Sequence, residues 1–263
     1  MYGCNPQLDK ATPPINDAPS IINNKNIIPE KKTPGQMIIT YYSDYRPMSW
    51  MDDKGMMHGA FVDILEEALH ERMGIPIKHV GYPWARAQEM VRQGEADAYC
   101  SVPTEERRAY TQISQEAVFV NNVTIFTSKT SPLLSELERV KSVDDLKSLR
   151  MSNYSGNGWA KQNLVGMNIT WVTTPQQALQ MVVSGRADAY VDSSPITRDL
   201  IHQMATNDIV ELPVVLDMTS YHLCVGKNSP FIEILPEFDA TIRKMKEEGT
   251  LQTILNRYIS SSD

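Results

Sequence analysis

A short internal repeat constrains the fold of this chain more than any other feature of its sequence. Residues 85–101 read ARAQEMVRQGEADAYCS and residues 178–194 read ALQMVVSGRADAYVDSS, so both contain the pattern MVxxGxADAY. When Met90 is aligned with Met181, each copy predicts an amphipathic helix that ends at a glycine and leads into a short strand. The repeat therefore predicts two lobes built alike, although two similar βα units within one sheet would give the same pattern.

The segments around the repeat alternate between strand and helix patterns. Periodicity and glycine or proline breaks predict strands at 37–42, 76–82, 123–129, 149–156, 169–173, 209–216 and 221–227, and helices at 59–74, from about Gly158, at 195–205 and from Pro230 to Ile259. Such alternation indicates an α/β fold with mainly parallel sheets. Ligands of these sheets bind beyond the carboxyl ends of the strands, so two facing sheets predict a cleft between lobes.

Composition excludes several classes of protein. The 263 residues include 25 Lys and Arg against 32 Asp and Glu, a formal net charge of −7, which argues against a nucleic-acid-binding protein. No apolar run reaches the roughly 18 residues that a membrane-spanning helix needs. The three cysteines and five histidines show no metal-ligand spacing, and no glycine-rich nucleotide motif is present, so we predict neither a metal nor a cofactor.

The first 35 residues differ from the rest in composition. They are rich in Pro, Asn, Lys and Asp and keep no hydrophobic period, which predicts a disordered tail or tether for residues 1–35. Cys4 follows a glycine and precedes this polar stretch, as the first cysteine of a processed bacterial lipoprotein does. Cys4 is therefore a candidate lipid anchor, with an ordinary free thiol as the alternative.

Five stretches together resemble the bacterial periplasmic solute-binding proteins of family 3, the polar amino acid type. They are GAFVDILEEAL, YPWARAQEMVRQGEADAYCSVPTEER, KSVDDLKSLRMSNYSG, MVVSGRADAYVD and EEGTLQTILNRYI, in that order over residues 36–260. The resemblance implies a type II periplasmic-binding-protein fold, in which two lobes of mostly parallel sheet enclose a ligand cleft. We assign residues 36–127 and 222–263 to lobe I and residues 128–221 to lobe II.

The resemblance also implies an anion-binding arginine in lobe I. In the family, the arginine of a T-x-x-R element holds the carboxylate of the ligand, and Thr104 and Arg107 match that element. A guanidinium can form two parallel hydrogen bonds with a carboxylate, while a solvated helix-start arginine is the alternative. Cys100 and Val102 replace the small hydroxyl residues that the family often has in the preceding strand end, which leaves backbone N–H groups to bind there.

Aromatic residues of lobe I are further candidates for the binding site. Trp84 occupies the place where the family has an aromatic residue that packs on the ligand, and core packing is the alternative. Arg86 either points into the cleft or carries a surface charge on the helix. Tyr42 and Tyr45 follow the first strand, where family members line the pocket, and packing around Pro47 is the alternative.

The resemblance also implies a negatively charged residue in lobe II. The family commonly has an aspartate here that accepts the ammonium group of the ligand, and the matching position is either Asp192 or Ser193. Capping of the next helix is the alternative role of Asp192. Asn157 and Gly158 begin another predicted helix, whose free N–H groups would attract an anion.

Cys100 and Cys224 fall in strands that the family places side by side in lobe I. A disulfide between them would be stable in an oxidising compartment. Two buried free thiols are the alternative.

Together these features predict a non-enzymatic receptor that closes around a small polar solute, an amino acid or a related carboxylate. The resemblance implies a monomer outside the cytoplasm, in the periplasm or tethered to a membrane, that passes its ligand to the membrane subunits of an ABC importer. Two alternatives stay open: a ligand-sensing ectodomain of a signalling protein, and a lyase such as the cyclohexadienyl dehydratases, which share this fold.

Overall fold

The computed structural model describes residues 35–259. Nearly all of the predicted tail, including Cys4, therefore lies outside the described residues. The strands are β1 Met37–Tyr42, β2 Asp44–Tyr45, β3 Ser49–Met51, β4 Met57–His58, β5 Ile77–Tyr82, β6 Ala98–Ser101, β7 Thr111–Ile113, β8 Phe119–Ser128, β9 Met151–Tyr154, β10 Ile169–Val172, β11 Ala189–Ser193 and β12 Ile209–Gly226. The α-helices are α1 Ala60–Leu65, α2 Trp84–Gln93, α3 Glu105–Tyr110, α4 Leu134–Leu137, α5 Gly158–Asn163, α6 Pro175–Val183, α7 Ser194–Gln203, α8 Leu235–Glu247 and α9 Thr250–Leu255.

Two sets of three parallel strands form the centres of the lobes. In lobe I, β1 lies between β5 and β6, and in lobe II, β9 lies between β10 and β11. Antiparallel strands extend both sheets, since β12 pairs with β6 and β8 pairs with β11. Residues 209–221 of β12 pair with β8, whereas residues 222–226 pair with β6 and β7, so this strand belongs to both sheets. The molecule is an α/β protein of two lobes, and the exact lobe bounds given above stay a prediction.

The repeated segments have the same backbone structure in both lobes. α2 ends at Gly94 with φ of 77°, and Gly185, with φ of 68°, follows α6. This left-handed conformation favours glycine, because it has no Cβ atom. Two N–H groups then donate back to the carbonyl oxygen of Met90 in the first copy and of Met181 in the second. The predicted order of helix, glycine and strand is therefore present twice.

An aspartate fixes each repeated unit to the neighbouring strand. The carboxylate of Asp97 accepts the N–H of Ile38 at 2.9 Å, and the carboxylate of Asp188 accepts the N–H of Arg150 at 2.8 Å. Both aspartates belong to the shared ADAY motif. The motif therefore sets the position at which β6 starts beside β1 and β11 starts beside β9.

The core of lobe I lies on both faces of its sheet. Phe61 of α1, Phe238 of α8 and Leu251 of α9 pack together on one face. Met90 and Val91 of α2 are buried on the other face. The C-terminal helices therefore pack on the sheet that contains β1, far from them in sequence.

The predicted strands at 209–216 and 221–227 are one continuous strand, contrary to the sequence-based expectation. The intervening residues remain paired with β8, and shifts of register around Val215 take the place of the predicted break. Asp217 and Met218 are exposed on this stretch and Thr219 is buried, as in a strand with one solvent-facing side.

The predicted helices at 59–74 and from Pro230 to Ile259 are also subdivided. α1 continues as a π-helix over Glu66–Arg72. The C-terminal stretch contains a 3₁₀ turn at Ile232–Ile234 before α8, and Gly249, with φ of 77°, separates α8 from α9. Among the described residues, no helix combines the length and the apolar character that crossing a bilayer requires.

Candidate functional site

A cavity of about 60 Å³ lies between the lobes, at the carboxyl ends of β1, β6, β9 and β11. Both lobes contribute aromatic, small and polar side chains to its wall: Tyr41, Tyr42, Tyr45, Ser49, Phe61, Trp84, Cys100, Ser101, Val102, Arg107, Val123, Tyr154, Gly156, Asn157, Gly158, Trp159, Asp192, Thr219 and Tyr221. This is where the strand order of an α/β sheet places a ligand.

Arg107 supplies the positive charge of the cavity. It lies in the first turn of α3, where its N–H donates to the hydroxyl of Thr104 at 3.3 Å. The residue is only 6% exposed, and its Nε donates to Gln88 Oε1 at 3.0 Å while Nη1 donates to the carbonyl oxygen of Val102 at 2.7 Å. These bonds hold the guanidinium in one orientation and leave Nη2 without a hydrogen-bond partner in the described part of the chain.

Lobe II approaches this guanidinium closely through Gly158. A Cβ atom at Gly158 would lie 3.3 Å from both terminal nitrogens of Arg107 and 3.0 Å from Thr104 Cγ2, so a larger residue would have to displace one of these side chains slightly. Trp84 packs on the same guanidinium, with Arg107 Cζ 5.3 Å from the centroid of the indole. The edge contact of Trp84 with Tyr99, at 5.4 Å between centroids, holds the indole in place.

Asp192 supplies the negative charge from β11 of lobe II. Burial raises the pKa of its carboxyl group to about 6, and hydrogen bonds from Tyr190 and Ser193 and the nearby amide of Asn157 offset part of that rise. The Tyr190 hydroxyl donates to Oδ2 at 2.5 Å, and the Ser193 N–H donates to Oδ1 at 2.8 Å. A cation in the cavity would favour the ionised form of this buried acid.

Asn157 brings a buried donor without a partner to the cavity. The residue caps α5, because its Oδ1 accepts the N–H of Ala160 at 2.9 Å. Its Nδ2 is buried and makes no hydrogen bond within the described residues, although it lies close enough to Asp192 to lower the pKa of that carboxyl. An unpaired buried N–H costs free energy, so an acceptor atom of a ligand would stabilise the site here.

Tyrosine side chains form much of the remaining wall. The rings of Tyr42 and Tyr45 stack with their centroids 5.9 Å apart, and the hydroxyls of Tyr45 and Tyr221 are hydrogen-bonded at 2.8 Å. Burial raises the pKa of Tyr45, Tyr154 and Tyr221, so their hydroxyls stay neutral. They add hydrogen-bonding groups and apolar surface to the cavity without adding charge.

Most of the residues predicted from the sequence line this cavity. They are Tyr42, Tyr45, Trp84, Cys100, Val102, Arg107, Asn157, Gly158 and Asp192. Of the two residues that match the family's aspartate, Asp192 therefore lies at the cavity. The helix cap of α7 is Ser193 and not Asp192.

Three predicted residues lie elsewhere. Arg86 is exposed, with its guanidinium 5.4 Å from the ring of Tyr82, because the helix directs it away from the cleft. Ser193 is buried behind the wall, where its hydroxyl accepts a hydrogen bond from Asn121. Thr104 caps α3 and borders a neighbouring crevice of about 210 Å³ instead of the central cavity.

Of the two alternatives for Cys100 and Cys224, the structure has the pair of buried free thiols and not the disulfide. In the antiparallel pairing of β6 with β12, Cys224 lies opposite Tyr99, and Cys100 lies opposite Leu223. Neighbouring residues of a strand point to opposite faces, so the two thiols belong to cores on different sides of the sheet. Side-by-side strands were a correct expectation, but the register separates the two cysteines.

Sequence reasoning missed Tyr154 and Tyr221 as parts of the wall. Tyr154 is the last residue of β9, and the rule that selected Tyr42 at the end of β1 would have selected it too. Tyr221 lies within β12, where the strand passes from one sheet to the other, and no local pattern marks it.

A second group of polar residues lies away from the cavity. Potential ligand atoms of Glu66, His70 and Glu71 are within 4.8 Å of one another, because the π-helical turn brings these residues to one side. Glu66 is also hydrogen-bonded to His79 at 2.8 Å. These contacts hold the helix against β5, and we assign no ion to the group.

The arrangement of charges suits a small molecule that carries both signs. Arg107 and Asp192 are both buried and line the same cavity from opposite lobes, so one ligand can touch both. Cys100 also lines the cavity, but burial raises the pKa of its thiol, which keeps it protonated and a weak nucleophile. The cavity therefore presents one positively charged and one ionisable acidic side chain, from opposite lobes.

Solved structures of similar fold include proteins of different roles. One is a histidine kinase sensor domain with similarity to periplasmic binding proteins, with 18% identity, a TM-score of 0.73 and coverage of 86% of this chain and 96% of that one. Another is an amino acid ABC transporter substrate-binding protein from Streptococcus pneumoniae bound to L-arginine, with 20% identity, a TM-score of 0.66 and coverage of 85% and 94%. At such identities, the likeness establishes the fold alone.

A third similar structure is an ancestral amino acid-binding protein described as a precursor of cyclohexadienyl dehydratase. It shares 24% identity with this chain, with a TM-score of 0.66 and coverage of 86% of this chain and 96% of that one. A comparison with curated protein sequences found no significant match. The sequence profile of the bacterial extracellular solute-binding proteins, family 3, matches residues 37–261. Because this match spans both lobes and most of the chain, the protein belongs to the bacterial extracellular solute-binding proteins of family 3.

Proposed function

We propose that this protein is a receptor outside the cytoplasm that captures a small zwitterion, an amino acid or a related carboxylate, for delivery to an ABC importer. The observation that carries this proposal is the placement of Arg107 and Asp192 on opposite lobes around one buried cavity. Binding, location outside the cytoplasm and delivery are also the roles that membership of the family supports.

The carboxylate of the ligand would lie against Arg107. The hydrogen bonds of Nε and Nη1 fix the guanidinium and so set the orientation of Nη2. The unpaired Nδ2 of Asn157 offers a second donor from lobe II. Hydrogen bonds between an ionised donor and an ionised acceptor are the strong ones in such a site. A carboxylate here would also accept a hydrogen bond from the buried Nδ2 of Asn157, which otherwise stays unpaired at a cost in free energy.

The cationic group of the ligand would lie near Asp192. Burial holds the pKa of this carboxyl near 6, so the free site carries a negative charge only in part at mildly acidic pH. A bound cation offsets the cost of burying the ionised carboxylate, because it stabilises the negative charge. Binding of a zwitterion should therefore release a proton when the solution is near or below pH 6.

Closure of the lobes would complete the site. β8 and β12 are the longest strands between residues 35 and 259, and β12 runs from one sheet into the other near Tyr221. We place lobe I at residues 36–127 and 222–263 and lobe II at residues 128–221. A ligand that touches both lobes stabilises the closed form by its greater affinity for it. Small-angle scattering should therefore show a smaller radius of gyration after the ligand is added.

A binding screen tests the proposal directly. The protein is titrated with the proteinogenic L-amino acids and with small organic acids, and its melting temperature and heat of binding are measured. A ligand at 100 times its dissociation constant should raise the free energy of unfolding by about 2.7 kcal/mol. No binding by any carboxylate would contradict the proposal.

Recovery of the bound ligand separates a receptor from a lyase. Mass spectrometry of the complex after incubation should find the ligand unchanged, whereas a lyase would convert it. Uptake of the labelled ligand by cells that lack this protein should be reduced if the protein serves an importer. Normal uptake with a lost transcriptional response would favour a sensory role instead.

A further inference from the structure

The wall of the central cavity carries two opposite charges and no others. Of the nineteen residues that line it, Arg107 and Asp192 are the ones with a charged side chain at neutral pH. The other seventeen are aromatic, aliphatic, small or neutral polar residues. A third charge that a ligand brought into the cavity would therefore meet no counter-ion among the residues of the wall.

Some of these seventeen residues have groups that could ionise, and burial keeps them neutral. They are Tyr41, Tyr42, Tyr45, Cys100, Tyr154 and Tyr221. Burial raises the pKa of each hydroxyl and of the thiol, so none of them becomes an anion near neutral pH. The wall therefore supplies a single carboxylate to a cationic ligand group, that of Asp192.

Neutral hydroxyl groups complete the polar part of the wall. Ser49 donates to the carbonyl oxygen of Tyr42 at 2.8 Å, and Thr219 donates to Asn121 Oδ1 at 2.6 Å. These hydroxyl hydrogens are therefore not available to a second carboxylate of a ligand. The hydroxyl of Ser101 forms no hydrogen bond with another residue between 35 and 259, and such a neutral group suits an uncharged ligand atom.

The two charges border one short segment of lobe II, where β9 leads into α5. On one side, a Cβ atom at Gly158 would lie 3.3 Å from both terminal nitrogens of Arg107. On the other side, Asn153 Nδ2 donates to the carbonyl oxygen of Val191 at 2.9 Å, which fixes β9 beside the residue that precedes Asp192. The carboxylate and the ammonium group of one amino acid can therefore meet the two charges.

Further charged residues line the neighbouring crevice and not the cavity. They are Glu105, Glu106 and Lys161, and all three are exposed. Arg107 and Gly158 belong to the walls of both spaces, and their close approach lies between the cavity and these charges. In this arrangement of the lobes, the three residues are not counter-ions for a ligand enclosed in the cavity.

We propose that the cavity selects amino acids whose side chain carries no charge. Arg107 and Asn157 bind the carboxylate of the ligand, and Asp192 binds its ammonium group, since each carboxylate oxygen can accept a further hydrogen bond. Both charges of the wall are then paired, and a charged side chain would be buried without a counter-ion, which is strongly unfavourable. This inference deepens the proposed function and rests on it.

The first test ranks the amino acids by charge. The twenty proteinogenic L-amino acids are titrated into the wild-type protein at pH 8 by calorimetry, because Asp192, with a pKa near 6, is ionised there. The tightest ligand should be uncharged in its side chain, and aspartate, glutamate, lysine and arginine should bind at least about tenfold more weakly. Any of these four that binds within tenfold of the best uncharged amino acid would overturn the inference.

Pairs of nearly equal shape separate charge from size. Asparagine is compared with aspartate, glutamine with glutamate, and citrulline with arginine. In each pair of which a member binds, the uncharged member should bind at least about tenfold more tightly, and the reverse order in any pair would contradict the inference.

The same titrations separate this inference from the proposed function. If a charged amino acid, or a carboxylate without an ammonium group, is the tightest ligand, only the inference fails. If no carboxylate binds at all, the proposed function fails with it.

A second test asks whether the ammonium group of the ligand uses Asp192. The tightest-binding amino acid is compared with its α-hydroxy acid, as L-alanine with L-lactate, in which a neutral hydroxyl replaces the ammonium group. The wild type should prefer the amino acid at least about tenfold, and Asp192→Asn should lose most of that preference. Because the readout is a ratio of two affinities in one protein, a general loss of stability does not imitate it. Equal affinities in the wild type, or an unchanged ratio in the variant, would overturn the inference, and the wild-type ratio decides alone if melting curves show that the variant does not fold.

Discussion

The two copies of the internal repeat share a framework and differ in the chemistry that they present to the cavity. In both lobes, a hydroxyl of the central strand donates to an alanine carbonyl of the repeated helix: Thr40 to Ala87 at 3.0 Å, and Ser152 to Ala178 at 2.8 Å. The two ADAY aspartates each accept a hydrogen bond from a backbone N–H, that of Ile38 in lobe I and that of Arg150 in lobe II. The two similar segments are thus fixed to the central strands of their lobes by equivalent hydrogen bonds.

The charged residues that follow the repeat do not obey this symmetry. Arg107 and Arg198 lie at the same distance in sequence from the repeated tyrosine, yet Arg107 is buried at the cavity and the Arg198 side chain is 47% exposed and paired with Glu211. Asp192 likewise takes the position that Ser101 has in the first copy. The framework is common to the lobes, and we propose that the charge at each strand end sets which part of a ligand each lobe holds.

The largest expected effect is the difference between the two equivalent arginines. Arg107→Ala should reduce the affinity for a carboxylate ligand by about 2–5 kcal/mol, because it removes a desolvated charge that pairs with the ligand. Arg198→Ala, the matched control, should leave the affinity unchanged. Calorimetric titration of both variants measures the difference, with melting temperatures as the check on folding. Similar affinities for the two variants would show that Arg107 does not bind the carboxylate of the ligand.

The next effect is a dependence of stability on pH through Asp192. Burial gives this group a pKa near 6 in the folded protein and an ordinary one when unfolded, so the folded form retains a proton between about pH 4 and pH 6. This group should therefore make the free energy of unfolding of the ligand-free protein fall as pH rises through that range, by on the order of 3 kcal/mol.

The substitution Asp192→Asn isolates this contribution. Other carboxyl groups, such as Glu116 beside Lys246, have lowered pKa values and make the protein more stable as pH rises. The stability of the wild-type protein against pH is therefore the sum of both kinds of contribution. The difference between the wild-type and Asp192→Asn unfolding curves, measured in denaturant from about pH 4 to about pH 7, should show the predicted slope. Binding of a zwitterion should strengthen over the same range in the wild type only. Parallel curves would mean that Asp192 is not buried as described.

Trp84 tests a further difference between the copies, since its counterpart in lobe II is Pro175. Trp84→Phe should weaken ligand binding by roughly 1 kcal/mol, because the smaller ring covers less of the cavity and of Arg107. Trp171→Phe is the control, because Trp171 is 40% exposed on β10 and does not line the cavity. A large loss of melting temperature with unchanged affinity would make Trp84 a core residue only.

The smallest expected effect concerns the cysteines. The counterpart of Cys100 in the second copy is Val191, so the framework forms without a thiol at this position. Because Cys100 and Cys224 are free on opposite faces, a reducing agent should leave the melting temperature unchanged. Burial raises the pKa of both thiols, that of Cys224 to about 12, so both should react slowly with alkylating agents in the folded protein. A fall in melting temperature on reduction would indicate a bond after all.

The sequence predicted the elements better than their continuity. The boundaries of β1 and the glycine ends of the repeated helices follow from local patterns, and both were predicted correctly. The continuous path of β12 was not, because pairing with β8 determines whether residues near Asp217 turn or extend. The division of the C-terminal helix had a local signal, the glycine at position 249. The prediction passed over it because apolar residues recur at helical spacing on both sides.

The sequence by itself determined the repeated units and the residue types that could carry charge into a cleft. Helix ends and strand alternation depend on residues close together along the chain or on simple periodicity. Only the tertiary structure decided that Arg107 and Asp192 share a cavity, that Arg86 and Ser193 do not, and that the cysteines face apart. These outcomes depend on strand register and on the approach of one lobe to the other, and both arise from contacts between residues distant in sequence.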